Sequence, residues 1–253
     1  VTTPSQDLVL GIYYLTNCHQ LDEEVDQKKI KYFSSQDEAI VAYQNEFIGL
    51  QDKIKVYFST DELKDWQSNN EESLILTTVG RVIFNQILPD KLKFINRTMN
   101  KGSLKEIITS SLEHYGEVET AELLDKIKDL SVKYLTISGI SWSMSDLAEP
   151  SLKEKLIEEA EEKVAQVTEQ YEMGLLTDDE RKSKIVKNWF EVIDKVTESC
   201  REKLSSIKHN PVYAMIESAS RGSWNQTNQM MGIKGLVNNP SGETIELPIK
   251  SSF

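Results

Sequence analysis

A mainly α fold with short β elements (α+β) is predicted by three observations on the sequence. Apolar residues recur at helical spacing over several long stretches, two short runs are rich in β-formers, and an apolar seam steps by threes and fours through a strongly charged region in the second half. Thr3-Pro4-Ser5-Gln6-Asp7 is a helix start, with capping side chains and an Asp favoured by the helix dipole, and Leu8 to Leu15 continues it as a buried helix. Gly11 lowers helix propensity inside that run, which points to the close approach of another backbone. Asn17 to Lys31 reads as a polar loop. Ser34 or Ser35 is placed to cap a second helix through Ala39 and Tyr43, Ile54 to Phe58 has the look of a strand, and Asp61 to Ser73 is a charged connection. Leu74 to Val79 is β-rich, Gly80-Arg81 is read as a turn, and Val82 to Leu88 as a buried segment stopped by Pro89.

Two helices are expected next. Ser103 to Tyr115 carries the stripe Leu104, Ile107, Ile108, Ser111 and Leu112. Thr120 to Tyr134 carries Ala121, Leu124, Ile127 and Leu130, with Glu117-Val118-Glu119 as the connection. The small, apolar, Gly-containing stretch Leu135 to Ser145, closed by Pro150, is read as a domain boundary. Beyond it the seam Ile157, Ala160, Val164, Val167, Tyr171 is answered by Ile185, Trp189, Val192, Val196, Cys200, the pattern of an antiparallel coiled-coil hairpin over 152–207. Gly174 fits its C-terminal cap and Thr177 the next N-cap. A short helix after Pro211, an amide-rich stretch from Ser220 to Gly232, and a turn-rich tail with one β segment, Thr244 to Leu247, complete the chain.

With 39% hydrophobic and 28% charged residues among 253, the chain has the composition of a globular protein, and its apolar runs fall short of the roughly 20 residues a membrane helix needs. No basic segment followed by an apolar one opens it, so no secretory signal is expected. A net charge of −12 argues against a surface that coats nucleic acid along its length. Cys18 and Cys200 stand far apart, outside any metal-ligand spacing, and are read as buried free thiols. His19, His114 and His209 are isolated and are assigned no chemistry.

Arg221, beside Gly222 and the amides that follow, has what an anionic ligand needs: a forked cation, a backbone open to close approach and neutral neighbours. The same pair also suits an Arg that closes a structural loop. Arg81, next to Gly80, is flanked by apolar runs that imply burial against the core. Asp178, Asp179 and Glu180 at the hairpin turn lack a calcium-loop pattern and read as a solvated tip, or, with Leu175 and Leu176 as apolar anchors, as a docking point. No Ser-His-Asp, Cys-His or phosphate-loop spacing is present, which disfavours an enzyme complete in itself.

Three stretches together carry a resemblance. They are Thr3-Pro4-Ser5-Gln6-Asp7-Leu8-Val9-Leu10-Gly11-Ile12-Tyr13-Tyr14-Leu15-Thr16, then Thr77-Thr78-Val79-Gly80-Arg81, then Ser218-Ala219-Ser220-Arg221-Gly222-Ser223 with the Gly232-Ile233-Lys234-Gly235-Leu236 and Pro240-Ser241-Gly242-Glu243 that follow. In order and separation they resemble the bacterial-type DNA-directed RNA polymerase beta-prime subunit, across nearly the whole chain. The resemblance implies an internal segment with a pore-like domain over 1–146 and a funnel domain over 147–253, whose hairpin 152–207 rims the secondary channel and whose segment 211–253 faces incoming nucleotides. It implies that the Asp-rich loop binding catalytic magnesium lies outside this chain, that the segment holds no cofactor, and that alone it is inactive.

Arg221 matches the family's arginine near the triphosphate of the incoming nucleotide. Leu175, Thr177, Glu180 and Arg181 match the hairpin tip where transcript-cleavage and regulatory factors dock, although Asp178 and Asp179 replace more neutral residues. The implied partners are the beta and alpha subunits, nucleoside triphosphates, secondary-channel factors, and DNA and RNA through the whole enzyme. No membrane is implied, and the location is cytoplasmic, with an organellar homologue also compatible. Charge is distributed in keeping with this: Glu149 to Lys184 holds eleven acidic and six basic residues, Ser205 to Phe253 three acidic and four basic. The competing reading is a freestanding helical-hairpin interaction module, which has no need of the Gly- and amide-rich C-terminal part.

Overall fold

A computed structural model describes residues 2–18, 30–58, 74–89, 92 and 94–253. The chain divides into two compact units, the first comprising Val1–Ile140 and Glu217–Arg221, the second Ser141–Ile216 and Gly222–Phe253. Mainly helical structure with one small sheet is found, in agreement with the predicted class.

In the first unit, helix α1 (Asp7–Thr16) is buried along nearly its full length. Gln6 is its N-cap, with φ 53°, and no side chain caps the helix there. The capping expected from Ser5 or Thr3 is thus absent, and backbone bonds from Leu8 N–H to Ser5 O and Val9 N–H to Gln6 O close the first turn instead. Strand β1 (Lys31–Phe33), helix α2 (Gln36–Gln44) and strand β2 (Lys53–Tyr57) form a parallel crossover, and β3 (Leu74–Thr78) pairs antiparallel with β2, so the sheet order is β1-β2-β3. Ser35 caps α2 by accepting from Glu38 N–H at 3.2 Å. Strand β1 begins at Lys31, where the polar sequence predicts the end of a loop; most of that loop, with His19, and the Asp61–Ser73 connection lie outside the described residues.

The expected Gly80-Arg81 turn is not there. Helix α3 (Val79–Gln86) starts directly after β3, with Thr78 as an N-cap whose hydroxyl accepts from Arg81 N–H at 3.3 Å. A Cβ on Gly80 would collide with the Leu15 carbonyl, so the glycine serves helix-on-helix approach.

Helices α4 (Lys101–Tyr115) and α5 (Glu117–Ser138) are joined by Gly116 alone, so Glu117 to Glu119 form the first turn of α5, not a connection. The predicted α4 stripe is inward. On α5 the buried face is Thr120, Leu123, Ile127, Ser131 and Tyr134, rotated from the predicted Ala121-Leu124-Ile127-Leu130 stripe. The reason is close packing of backbones: Gly11 of α1 sits on the Ser131 backbone, the Ser131 hydroxyl donates to Leu8 O at 2.7 Å, and the Ser111 and Thr120 hydroxyls pair at 3.2 Å. Small polar side chains that satisfy backbone carbonyls replace Leu where two helices lie this near. One apolar core, including Val9, Ile12, Leu15, Ile54, Val56, Phe84, Leu104 and Ile127, joins the sheet to the helices.

The second unit is built on α6 (Lys153–Glu172) and α7 (Asp178–Ser206), the predicted hairpin. Every predicted seam residue of α7 is buried, whereas on α6 only Ala160 is. The asymmetry follows from what else α7 packs against: helix α9 (Trp224–Met231) and Ile233 complete a core with Trp189, Val196, Cys200 and Leu204. Burial pushes the Cys200 thiol up to about 11, and Cys18 is half-buried, its thiol 3.8 Å from the Gln51 carbonyl. Between α7 and α9 runs α8 (Pro211–Glu217). In the tail, residues 244–247 form no strand. The bridges Gly235–Ile249 and Asn238–Thr244 make a narrow loop, with Pro240 and Pro248 unable to donate to a longer ladder. Among the described residues, no helix is long and apolar enough to cross a membrane.

Candidate functional site

Arg221 ends the short segment that returns to the first unit. Lys101 N–H, in the first turn of α4, donates to Ser218 O at 3.1 Å, and the Ser218 hydroxyl donates to the Ser220 hydroxyl at 3.0 Å. Ala219 takes φ 56° and Gly222 φ 80°, which turns the chain sharply on both sides of Ser220-Arg221. The Arg221 side chain is exposed, and its Nη2 donates to the Gln6 Oε1 at 2.9 Å. No carboxylate among the described residues pairs with it. An exposed, uncompensated guanidinium on an anchored loop is suited to holding an anion.

The amide that meets Arg221 is therefore Gln6, not one from the stretch that follows it. That stretch forms α9, where Ser223 caps Gln226 N–H at 3.3 Å, the buried Asn228 Oδ1 accepts from Ile233 N–H at 3.4 Å, and Gln229 Oε1 accepts from Lys234 Nζ at 3.2 Å. Its polar groups largely build the second unit. Gln6 was missed by sequence reasoning, and its one signal was a Gln where an N-cap side chain of Ser, Thr, Asp or Asn is preferred.

At the hairpin tip, Gly174 follows the C-cap of α6 with φ 76°, and Thr177 caps α7 in a full capping box. Thr177 Oγ1 accepts from Glu180 N–H at 3.3 Å, while the Glu180 carboxylate accepts the Thr177 N–H at 2.8 Å and hydroxyl at 2.9 Å. These bonds, the backbone one foremost, hold the Glu180 carboxyl below its usual range. Arg181 bridges Asp178 at 2.8 Å and Glu246 of the tail at 2.8 Å, with its guanidinium 5.3 Å from the Tyr171 ring centroid. The hydrogen bond from Lys182, then that from Arg181, lowers the Asp178 pKa. Of the residues matched to docking, Thr177, Glu180 and Arg181 are thus employed in building the tip. Leu175, 70% exposed beside Met173 at 64%, offers its side chain to solvent.

Arg81 differs from both. It is only 3% exposed, and its guanidinium donates to Thr16 O at 3.0 Å, Asn96 Oδ1 at 3.0 Å and Thr98 Oγ1 at 3.3 Å. Burial lowers its pKa, yet an arginine stays protonated through any ordinary pH. Among the described residues, no group of three or more His, Cys, Asp or Glu side chains is placed to hold a metal ion.

Comparison with known proteins places these features in a family. Residues 1–147 match the family model described as RNA polymerase Rpb1, domain 3, and residues 153–253 that described as RNA polymerase Rpb1, domain 4. The whole chain aligns with the DNA-directed RNA polymerase subunit beta' of Caldicellulosiruptor saccharolyticus at 40% identity, covering 22% of that protein. Identity is 41% to the Thermoanaerobacter sp. subunit over 22% of its length, and 39% to the Thermosipho africanus subunit over 15%. The chain spans about a fifth of the length of the curated relatives it matches. With residues 1–147 and 153–253 matched in order and the whole chain aligned, the chain belongs to the RNA polymerase Rpb1 family that includes the bacterial beta' subunits, and corresponds to an internal part of them.

Proposed function

We propose that this chain works as a segment of a multisubunit, DNA-directed RNA polymerase, forming the channel side by which nucleoside triphosphates reach the catalytic centre. In this reading Arg221 contacts the triphosphate, and the magnesium of the nucleotidyl transfer is held by the enzyme outside this chain. The partners are the beta and alpha subunits, with DNA and RNA engaged through the whole enzyme in the bacterial cytoplasm. The observation that carries the site is the exposed Arg221 guanidinium, held by a neutral acceptor on a loop fixed to the α4 backbone. A contact of that kind stabilises bound anions whatever base they carry. The test is Arg221→Ala in the reconstituted polymerase, with saturation curves for each triphosphate. Apparent KM is expected to rise about 10- to 100-fold for all four, the size of a lost charged hydrogen bond, and unchanged kinetics in an assembled enzyme would remove the contact.

A second reading concerns the tip and rests on Leu175, Met173 and the 39% exposed Tyr171 beside Asp178, Asp179 and Glu180. An apolar anchor with an acidic rim suits a basic face of a transcript-cleavage or other secondary-channel factor. Leu175→Asp in the reconstituted enzyme is expected to weaken factor binding by about 30-fold, as for a buried hot-spot side chain. Equal affinity of parent and variant in a titration would exclude Leu175 from the docking surface.

A further inference from the structure

We infer that Gln6 is a positioning residue for Arg221, aiming its guanidinium without neutralising it; the inference rests on the reading of Arg221 as a triphosphate contact. Two of the four non-glycine residues with positive φ among those described, Gln6 and Ala219, stand on the two chain segments that make this contact. Backbone conformations that L-residues avoid persist where surrounding structure and function demand them. Gln6 occupies the N-cap of α1, yet its side chain makes no cap and reaches Arg221 Nη2 at 2.9 Å. Helix α1 is itself fixed, with Gly11 on the Ser131 backbone and the Ser131 hydroxyl on Leu8 O. The backbone around Arg221 is fixed independently, by Lys101 N–H on Ser218 O.

What remains free is the long Arg221 side chain, and one acceptor at the end of a rigid helix restricts it. The chemistry of that acceptor matters. A glutamate there would make a stronger bond but cancel the charge an anionic substrate needs, and an asparagine is one methylene too short for the same reach. A glutamine supplies a neutral carbonyl at the required distance and leaves the remaining guanidinium N–H groups available.

The experiment uses reconstituted polymerase carrying Gln6→Ala, Gln6→Glu, Arg221→Ala and the corresponding doubles, read as apparent KM and kcat for nucleoside triphosphates. Gln6→Ala is expected to raise KM about threefold, through lost preorganisation. For Gln6→Glu the expected rise is about tenfold, because the carboxylate competes with the triphosphate. Gln6→Ala should add nothing once Arg221 is Ala, since contacting residues are non-additive whereas an independent structural defect would add. Gln6→Gly, which accepts φ 53° readily, keeps the helix start and should still raise KM, so poor folding of another variant leaves the test intact. Should Gln6 variants leave KM unchanged in an enzyme where Arg221→Ala raises it, or Gln6→Ala add fully to Arg221→Ala, the positioning role is overturned while the triphosphate contact stands. A silent Arg221→Ala overturns both.

Discussion

Arg81 brings a full charge into the interior with hydrogen bonds but no carboxylate partner among the described residues. Its acceptors are the last carbonyl of α1, where a cation complements the helix dipole, and the 96–98 segment, so one side chain binds three parts of the first unit. Arg81→Ala would leave Thr16 O and the Asn96 and Thr98 side chains without that donor. A loss of about 3 kcal/mol is expected, visible as a lower urea midpoint, as for other broken buried polar networks. Arg81→Lys should recover little of it, because a single ammonium cannot span acceptors arranged for a fork. That Arg81 is buried could be read from the apolar residues flanking it in the sequence. Its acceptors could not, because two of them come from a loop without periodic pattern, and the same holds for Gln6, whose partner lies at position 221. Contacts between distant segments leave no local trace unless each side also follows a local rule.

At the scale of elements, the hairpin tip depends on a capping box whose carboxylate is held below its usual range. A carboxyl with a depressed folded pKa stabilises fully above its unfolded value and loses that contribution as pH falls through the folded one. For Glu180 and Asp178 the tip should therefore be constant at neutral pH and loosen only in acid, below the ordinary carboxylate range, where the cap and the Arg181 bridge lose their charge. Thr177→Ala is expected to lower stability by about 1 kcal/mol at neutral pH, typical of a lost cap. Circular dichroism melts at pH 7 and pH 3 would reveal both effects, and identical melts of parent and variant at pH 7 would contradict the cap. This element was the most legible one, since threes and fours, a glycine and a capping threonine all agree. The buried face of helix α5 is turned partly away from the apolar stripe, which shares Ile127 with it, because Ser131 and Thr120 point inward and carry no hydrophobic signal. The β3–α3 junction was read as a turn because Gly80 is needed for clearance against Leu15, a demand that looks in sequence like a chain reversal.

Across the whole molecule, each unit has its own apolar core, and the family matches divide the chain into two stretches meeting between residues 147 and 153. Composition showed a change of character in that region, from mixed helices and strands to charged hairpin. It gave no sign that Glu217–Arg221 goes back to the first unit, since five residues of Glu, Ser, Ala, Ser and Arg form no pattern of their own. The pairing of Lys101 N–H with Ser218 O has a consequence for the order in which the protein is made. A ribosome delivers α1 through α5 first, then both arms of the hairpin, and only afterwards the residues that satisfy the α4 start and meet Gln6. The first unit is thus begun before the hairpin and completed only after it, at residue 221, and the loop that presents Arg221 is the stitch that closes it.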